Sequence, residues 1–404
     1  MDATGLLTPA PGRAAAERFV ADHLADLVDD PTTIVGSERF RGGQTVADAA
    51  LEAFDVSGYA ERRNQVLPTS DRGASGLSPY IRHGLIPLRR AWRHVGGGPG
   101  RDVAKFRDEL MWQEYARHWY AHIGPDSAHG VRREQAVVDR DASWDRSMAC
   151  VDASLTELER DGWMVNQTRM WLSSDFSVRR SGAWQAGEEH FFRHLLDGSR
   201  AANRMGWQWT VGVGSSKHYG FSRSQVERRA PELCRGCEHR TACPISEWPD
   251  EPEWIAVDVE RRSRRPVASG PEGVERSEAQ DPVAVWLTAE SLGDADPALE
   301  ANRDLPAVFV FDEPLLARLR LSSTRLVFLV ETLADLATRR DVEIHRGRPT
   351  EVLAGRSVAV TFAPVPGFAR IAEHVHPVEV HPFPWLIRPT AGPIGSFSAW
   401  RRRH

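Results

Sequence analysis

The 404-residue sequence lacks any apolar run approaching the roughly 18 residues that a membrane-spanning helix needs. Its opening, MDATGLLTPAPGRAAAERF, has no basic stretch leading into a long apolar core, so no secretory signal is read there and a cytoplasmic chain is expected. Cysteine is scarce, at four residues, too few for a disulfide-stapled scaffold of this length. There is no excess of positive charge: 51 Lys and Arg against 56 Asp and Glu leave a net −5. That excludes a generally basic chain but not a local basic face, which is what nucleic-acid binding requires. The two glycine-rich runs, GGGPGR (Gly96–Arg101) and GVGSSK (Gly212–Lys217), lack the full phosphate-loop pattern and a preceding strand, so both read as loops. No internal repeat is found.

What the chain does have is tryptophan, 14 in all. Trp163, Trp171, Trp184, Trp207 and Trp209 fall within the 47 residues from Trp163 to Trp209. A large ring must be buried while its N–H finds a partner, so a core built for stability alone uses Leu, Ile and Val more readily. Asn166, Arg169, Asp197 and Asn203 are interleaved with these rings. Aromatics mixed with fixed polar groups suit a flat, hydrogen-bonding, redox-active ligand.

Residues 1–249 read as helical. AAAERFVADHLADLV, VAKFRDELMWQEYARHWYAHI, CVDASLTELERDGWMVNQTRMWL and EEHFFRHLLDG carry apolar residues at i, i+3, i+4 spacing. Residues 250–282 shift to Glu, Arg, Ser, Pro and Gly and read as a linker. Residues 283–404 alternate short β-rich runs (VAVWLT, AVFVF, VEIHRG, SVAVTF) with helical segments, the pattern of a parallel α/β sheet. The fold class expected is thus an all-α domain followed by a Rossmann-like α/β domain.

Five segments then stand out: YAERRN (Tyr59–Asn64), ASGLSPYIRHG (Ala74–Gly84), DELMWQEY (Asp108–Tyr115), WMVNQTRM (Trp163–Met170) and LLDGSRAANRMGWQW (Leu195–Trp209). In order and spacing they resemble the flavin-binding domain of the DNA photolyases and cryptochromes. The α/β part is similar to the antenna domain of that family, which normally comes first. The resemblance therefore implies a circular permutation, tolerable where junctions lie at the surface. The family's arginines after the first strand are here LTAESLGD, so no antenna chromophore is assigned.

The resemblance implies FAD. Tyr59, Ser75, Leu77 and Ser78 fall where the family holds the cofactor's phosphate side, although Ser78-Pro79 alone is equally a helix N-cap. Trp163, Asn166, Arg169, Asp197 and Asn203 match the isoalloxazine side, with an Arg169–Asp197 salt bridge and Asn203 facing flavin N5. Ser199 and Gln113 stand where the family prefers an acid and an arginine. Trp184 and Trp207 match an electron relay whose outer member has no clear counterpart, Trp144 being the nearest. Glu109, Trp112, Asn166, Met170 and Trp209 match a pocket for a flipped pyrimidine dimer, with Trp112 and Trp209 as aromatic walls and Glu109 on the base edge. Arg132, Arg133, Arg179 and Arg180 are candidates for DNA phosphates. Implied is a monomeric deoxyribodipyrimidine photolyase acting on UV-damaged DNA, with no membrane partner. A cryptochrome-like photoreceptor and a (6-4) photolyase remain as alternatives.

Cys234, Cys237 and Cys243 form CRGCEHRTACP, and Cys150 lies upstream. Four thiolates of this kind can hold a [4Fe–4S] cluster or a zinc ion, and spacing alone also allows free thiols. The layout is similar to the iron–sulfur bacterial branch of the family, which implies the cluster.

Overall fold

The computed structural model describes residues 4–257, 266–278, 280–392 and 394–404; residues 258–265 and 279 of the expected linker lie outside them. The chain divides into two compact units. One gathers the chain up to Phe54 with Leu77–His94 and Ala268–Thr390, the other Asp55–Gly76, Val95–Val267 and Ala391–His404.

The first unit is built on the β-rich runs read from the sequence. Its strands are β1 (Thr4–Leu6), β2 (Glu275–Arg276), β3 (Ala284–Leu287), β4 (Ala307–Asp312), β5 (Val342–Gly347), β6 (Val358–Thr361) and β7 (Glu379–His381). Among the described residues they form one sheet in the order β1-β5-β4-β3-β6-β7-β2. The five central strands are parallel, and β1 and β2 close the edges antiparallel. All four residues of β3 and of β6 are buried, which is why they read as unbroken apolar runs rather than alternating ones. Helix Ser323–Leu336 is buried on nearly every side, including Glu331. Burying that carboxylate is costly unless it is paired. Arg13 Nε donates to it at 2.7 Å and the Gly42 amide at 2.8 Å.

That pairing corrects the domain boundary expected from the sequence. Residues 4–54 belong with the sheet, not with the helical half. Helix Arg13–His23 buries Ala16, Phe19 and Val20 and packs on helix Ser323–Leu336, while β1 pairs with β5 through Thr4↔Arg346 and Leu6↔Ile344. Periodicity correctly marks an apolar helix face but does not encode which surface covers it.

The helical unit contains α1 (Gly100–Ile123), α2 (Ala149–Asp161), α3 (Asn166–Ser174), α4 (Trp184–His194), α5 (Arg200–Val211) and the short α6 (Phe397–Arg401). Residues 394–404 therefore leave the expected α/β domain and pack with the helices. α5 lies against α1, α3 and α4. At its crossing with α4 the Trp207 ring lies over Gly187, where an added Cβ would come within 2.1 Å of Trp207 Cη2. Ser199 caps α5 by accepting from the Ala202 amide at 3.0 Å. Among the described residues no helix is long and apolar enough to cross a membrane.

Two stability measurements follow from these contacts. Gly187→Ala forces a methyl group into the Trp207 ring and should cost about 1–3 kcal/mol, read as a lower denaturation midpoint. In the sheet unit, Asp296 accepts from the Ala298 and Leu299 amides and from Thr361 Oγ1 at 2.8 Å, and burial pushes its carboxyl up from 3.8 to about 7. Between these values the folded chain keeps a proton that the unfolded chain has released. Its contribution to stability should therefore fall as pH rises through that window. Asp296→Asn should flatten that dependence in denaturation measured from about pH 4 to about pH 8.

Candidate functional site

α3 begins at Asn166, directly after the buried Trp163-Met164-Val165 run, and carries Asn166, Arg169 and Met170 on its first turn and a half. Arg169 meets Asp197, in the loop between α4 and α5, as a two-point pair: Nη1 to Oδ1 at 3.1 Å and Nη2 to Oδ2 at 2.8 Å. The planar guanidinium fork matches the carboxylate geometry, and a third donor, Nε, reaches the Met164 carbonyl at 3.2 Å. The pair expected from the sequence is thus formed.

Asn203, one turn into α5, donates through Nδ2 to the backbone carbonyl and to Oε1 of Glu188, both at 2.8 Å. Glu188 is buried on α4 and also accepts from Arg200 Nη1 at 2.7 Å, with Arg204 Nε at 3.7 Å. Burial pushes its carboxyl up, against the opposing pull of the two arginines and Asn203. Sequence reading missed Glu188. It stands four residues after Trp184 in QAGEEHFF, and that i, i+4 spacing was the signal that it shares the Trp184 face.

The tryptophans separate into two classes. Trp184 and Trp207 are each 1% exposed, and their indole N–H groups have no hydrogen-bond partner among the described residues. The Trp184 backbone is fixed from outside the helix, its amide donating to Gln135 Oε1 at 3.1 Å. Trp144 packs on Phe176 and Phe191, and Phe191 in turn on Trp207. Trp209, by contrast, is 46% exposed, and Trp112 is half-buried. Buried rings suit electron transfer, and accessible ones suit stacking on a ligand.

Glu109 and Trp112 share a face of α1 as their spacing requires. Glu109 is one-third exposed and pairs with Lys105 Nζ at 2.9 Å and Arg63 Nε at 3.3 Å. Asn166 is exposed and Met170 half-buried. α5, which bears Trp209, packs on both α1, which bears Glu109 and Trp112, and α3, which bears Asn166 and Met170. Tyr59 is buried edge-on against Phe106 at 5.1 Å, and desolvation together with the Glu109 charge holds its hydroxyl protonated. Ser75 lies in the helical unit, whereas Leu77 and Ser78 fall in the sheet unit, where Ser78 opens helix Ser78–Arg82 with Pro79 in its first turn.

Three of the four arginines expected at DNA phosphates have internal tasks instead. Arg133 Nε donates to the Gly212 carbonyl at 2.7 Å and its guanidinium lies 3.9 Å over Trp254. Arg179 satisfies the Phe221 carbonyl through two donors, and Arg180 pairs with buried Asp175 at 3.0 Å. Buried carbonyls and carboxylates must find donors, and these arginines are the near ones. Arg132 remains exposed.

The four cysteines meet around one cavity. Cys150, buried on α2, and the half-buried Cys234, Cys237 and Cys243 line it together with Met148, Val226 and Ile245. Burial and the neighbouring thiols push Cys150 up to about 12. Among the described residues no three His, Cys, Asp or Glu side chains stand close enough to share a single ion.

The sequence profile of the FAD binding domain of DNA photolyase matches residues 106–230, which span α1 to α5. The chain is 29% identical over 222 residues to the deoxyribodipyrimidine photo-lyase of Synechococcus sp., covering 47% of this chain and 46% of the relative. It is 32% identical over 186 residues to that of Thermus thermophilus, covering 43% of each, and 33% identical over 225 residues to that of Alkalihalophilus pseudofirmus, covering 49% and 46%. The chain spans about half the length of the curated relatives it matches. Among solved structures, a class III photolyase from Agrobacterium tumefaciens aligns with a TM-score of 0.41 at 22% identity, covering 56% of this chain and 48% of that one. A photolyase from Sulfolobus tokodaii aligns with a TM-score of 0.42 at 22% identity, covering 56% and 55%. With a flavin-domain profile across α1 to α5, and the Arg169–Asp197 pair and Asn203 within that span, residues 106–230 of this chain are similar to the FAD binding domain of DNA photolyase.

Proposed function

We propose that this protein is a light-driven DNA-repair enzyme that splits cyclobutane pyrimidine dimers. One observation carries the reading: the same two helices bear both the flavin-side and the lesion-side residues. α3 carries Arg169 beside Asn166 and Met170, and α5 carries Asn203 beside Trp207 and Trp209. A cofactor held by the first set therefore lies next to a base held by the second. FAD, when bound in reduced form and excited by blue light, supplies the electron that opens the cyclobutane ring and takes it back afterwards.

The chain's own residues do the rest. The Arg169–Asp197 pair and Asn203 offer oriented polar groups to a flavin edge, and the N–H groups of Trp184 and Trp207 are donors with no partner among the described residues. Trp112 and Trp209 present aromatic faces to an extruded pyrimidine dimer. Glu109 accepts a hydrogen bond from a base edge, Asn166 adds a polar contact and Met170 a soft apolar one. Trp184 and Trp207 carry electrons toward the flavin from the rest of the protein. Tyr59, Ser75, Leu77 and Ser78 serve the cofactor's phosphate side. Damaged DNA is the partner, the protein acts as a monomer in the cytoplasm, and the sheet unit is a circularly permuted counterpart of the family's antenna domain.

The four cysteines hold a [4Fe–4S] cluster in this reading. A zinc ion would draw its thiolates to about 2.3 Å, hence within about 4 Å of one another. That all four thiols line one cavity is what supports a shared metal group here. A second reading, a cryptochrome-like photoreceptor, is favoured by the internal tasks of Arg133, Arg179 and Arg180, which leave fewer cations for phosphates. The (6-4) lesion is the third, tested by the same assay with that substrate.

Purified, photoreduced protein should convert a dimer-containing oligonucleotide to its repaired form under blue light, and an unchanged lesion would defeat the enzyme reading. Trp112→Ala should weaken dimer binding by roughly tenfold or more, since base–aromatic stacking contributes about 1–3 kcal/mol. Metal analysis should find about four iron atoms per chain, lost in Cys150→Ser. One zinc per chain would exclude the cluster.

A further inference from the structure

The last described segment, residues 394–404, lies against α1 of its own unit, and its contacts there fall on a residue of the lesion pocket. Phe397, the first residue of α6, stacks on Trp112 with ring centroids 3.6 Å apart and planes 14° from parallel. At that separation nothing fits between the rings, so one face of the Trp112 indole is fully taken. Tyr115 stands edge-on to both, at 5.8 Å and 86° from Trp112 and at 5.6 Å and 74° from Phe397.

The segment is fixed at both ends of this contact. On one side the Tyr115 hydroxyl donates to the Gly395 carbonyl at 2.6 Å. On the other, Trp400 is buried and its Nε1 donates to His118 Nδ1 at 3.1 Å. Ser396 caps the helix by accepting from the Ala399 amide. Phe397 is thus held in register by its neighbours and is not a loose ring resting on an exposed one. A side chain meant only to fill space has no need of parallel planes, because aromatic pairs more often settle edge-on or at wider offsets.

We infer that Phe397 is a positioning residue for lesion recognition: it occupies the rear face of Trp112, fixes the tilt of the indole, and leaves a single face for a flipped pyrimidine to stack on. This rests on the repair reading proposed above. Stacking on a ring whose orientation is already set costs less ordering than stacking on a free one. The gain falls on the extruded base, which in the repair reading is the group that stacks on the indole.

Phe397→Leu keeps an apolar side chain of similar size but removes the flat surface, and Phe397→Tyr keeps it. Dark binding of a dimer-containing duplex and of the undamaged duplex of the same sequence is measured for each, with flavin content and melting temperature alongside. Phe397→Leu should lose roughly five- to tenfold in dimer affinity, with binding to undamaged DNA, flavin content and melting temperature unchanged. Phe397→Tyr should match the parent protein. Unchanged dimer affinity in Phe397→Leu overturns the inference. Tighter binding overturns it as well, since it would mean that Phe397 covers the ligand's own face. Equal loss on both duplexes with loss of flavin or melting temperature reduces Phe397 to a packing residue. A parent protein with no preference for the dimer defeats the repair reading itself, and is distinguished from these results by involving no substitution.

Discussion

The crossing of α4 and α5 is the constraint on which the candidate site depends. Trp207 is fully buried there and can be so only because residue 187 has no side chain. That close approach brings Glu188 of α4 within reach of Asn203, Arg200 and Arg204 of α5. It also sets where α5 meets α1 and α3, and so how Trp209 stands relative to the residues those helices carry. Tryptophan at such a point is a poor choice for packing economy, because its N–H has no hydrogen-bond partner among the described residues.

Polar chemistry in this chain is held by donors that are already committed. Glu331, Glu188, Asp197 and Asp175 are buried carboxylates, and each faces at least one arginine. Such pairs add little net stability, but removing one partner leaves an uncompensated charge. This explains why arginines that look available in the sequence, such as Arg133, Arg179 and Arg180, turn inward. Charge pairs in a sequence mark a need for partners and do not say whether the partner is a phosphate or a backbone carbonyl.

The residues expected to act together vary in how the fold treats them. Arg169 and Asp197, 28 residues apart, form the two-point pair that the sequence resemblance implied. The four cysteines, 93 residues from first to last, line one cavity. The phosphate-side set is divided instead, with Tyr59 and Ser75 in one unit and Leu77 and Ser78 in the other. Ser199, a departure from the family pattern, and Glu188, which the sequence did not single out, show the reverse case: each has a defined structural task.

The sequence by itself determined the secondary-structure classes, the helical character of the flavin segment and the parallel sheet, because these follow from local periodicity and β-branched content. It also determined which residues share a helix face, as with Glu109 and Trp112, since i, i+3 spacing needs no tertiary information. Only the tertiary structure decided what those faces meet. The pairing of β1 with β5, the assignment of residues 4–54 to the sheet, and the stacking of Phe397 on Trp112 across 285 positions are long-range choices. An apolar or aromatic face is written into a short stretch of chain, but its partner is selected by packing among all such faces at once, and that selection leaves no local signature.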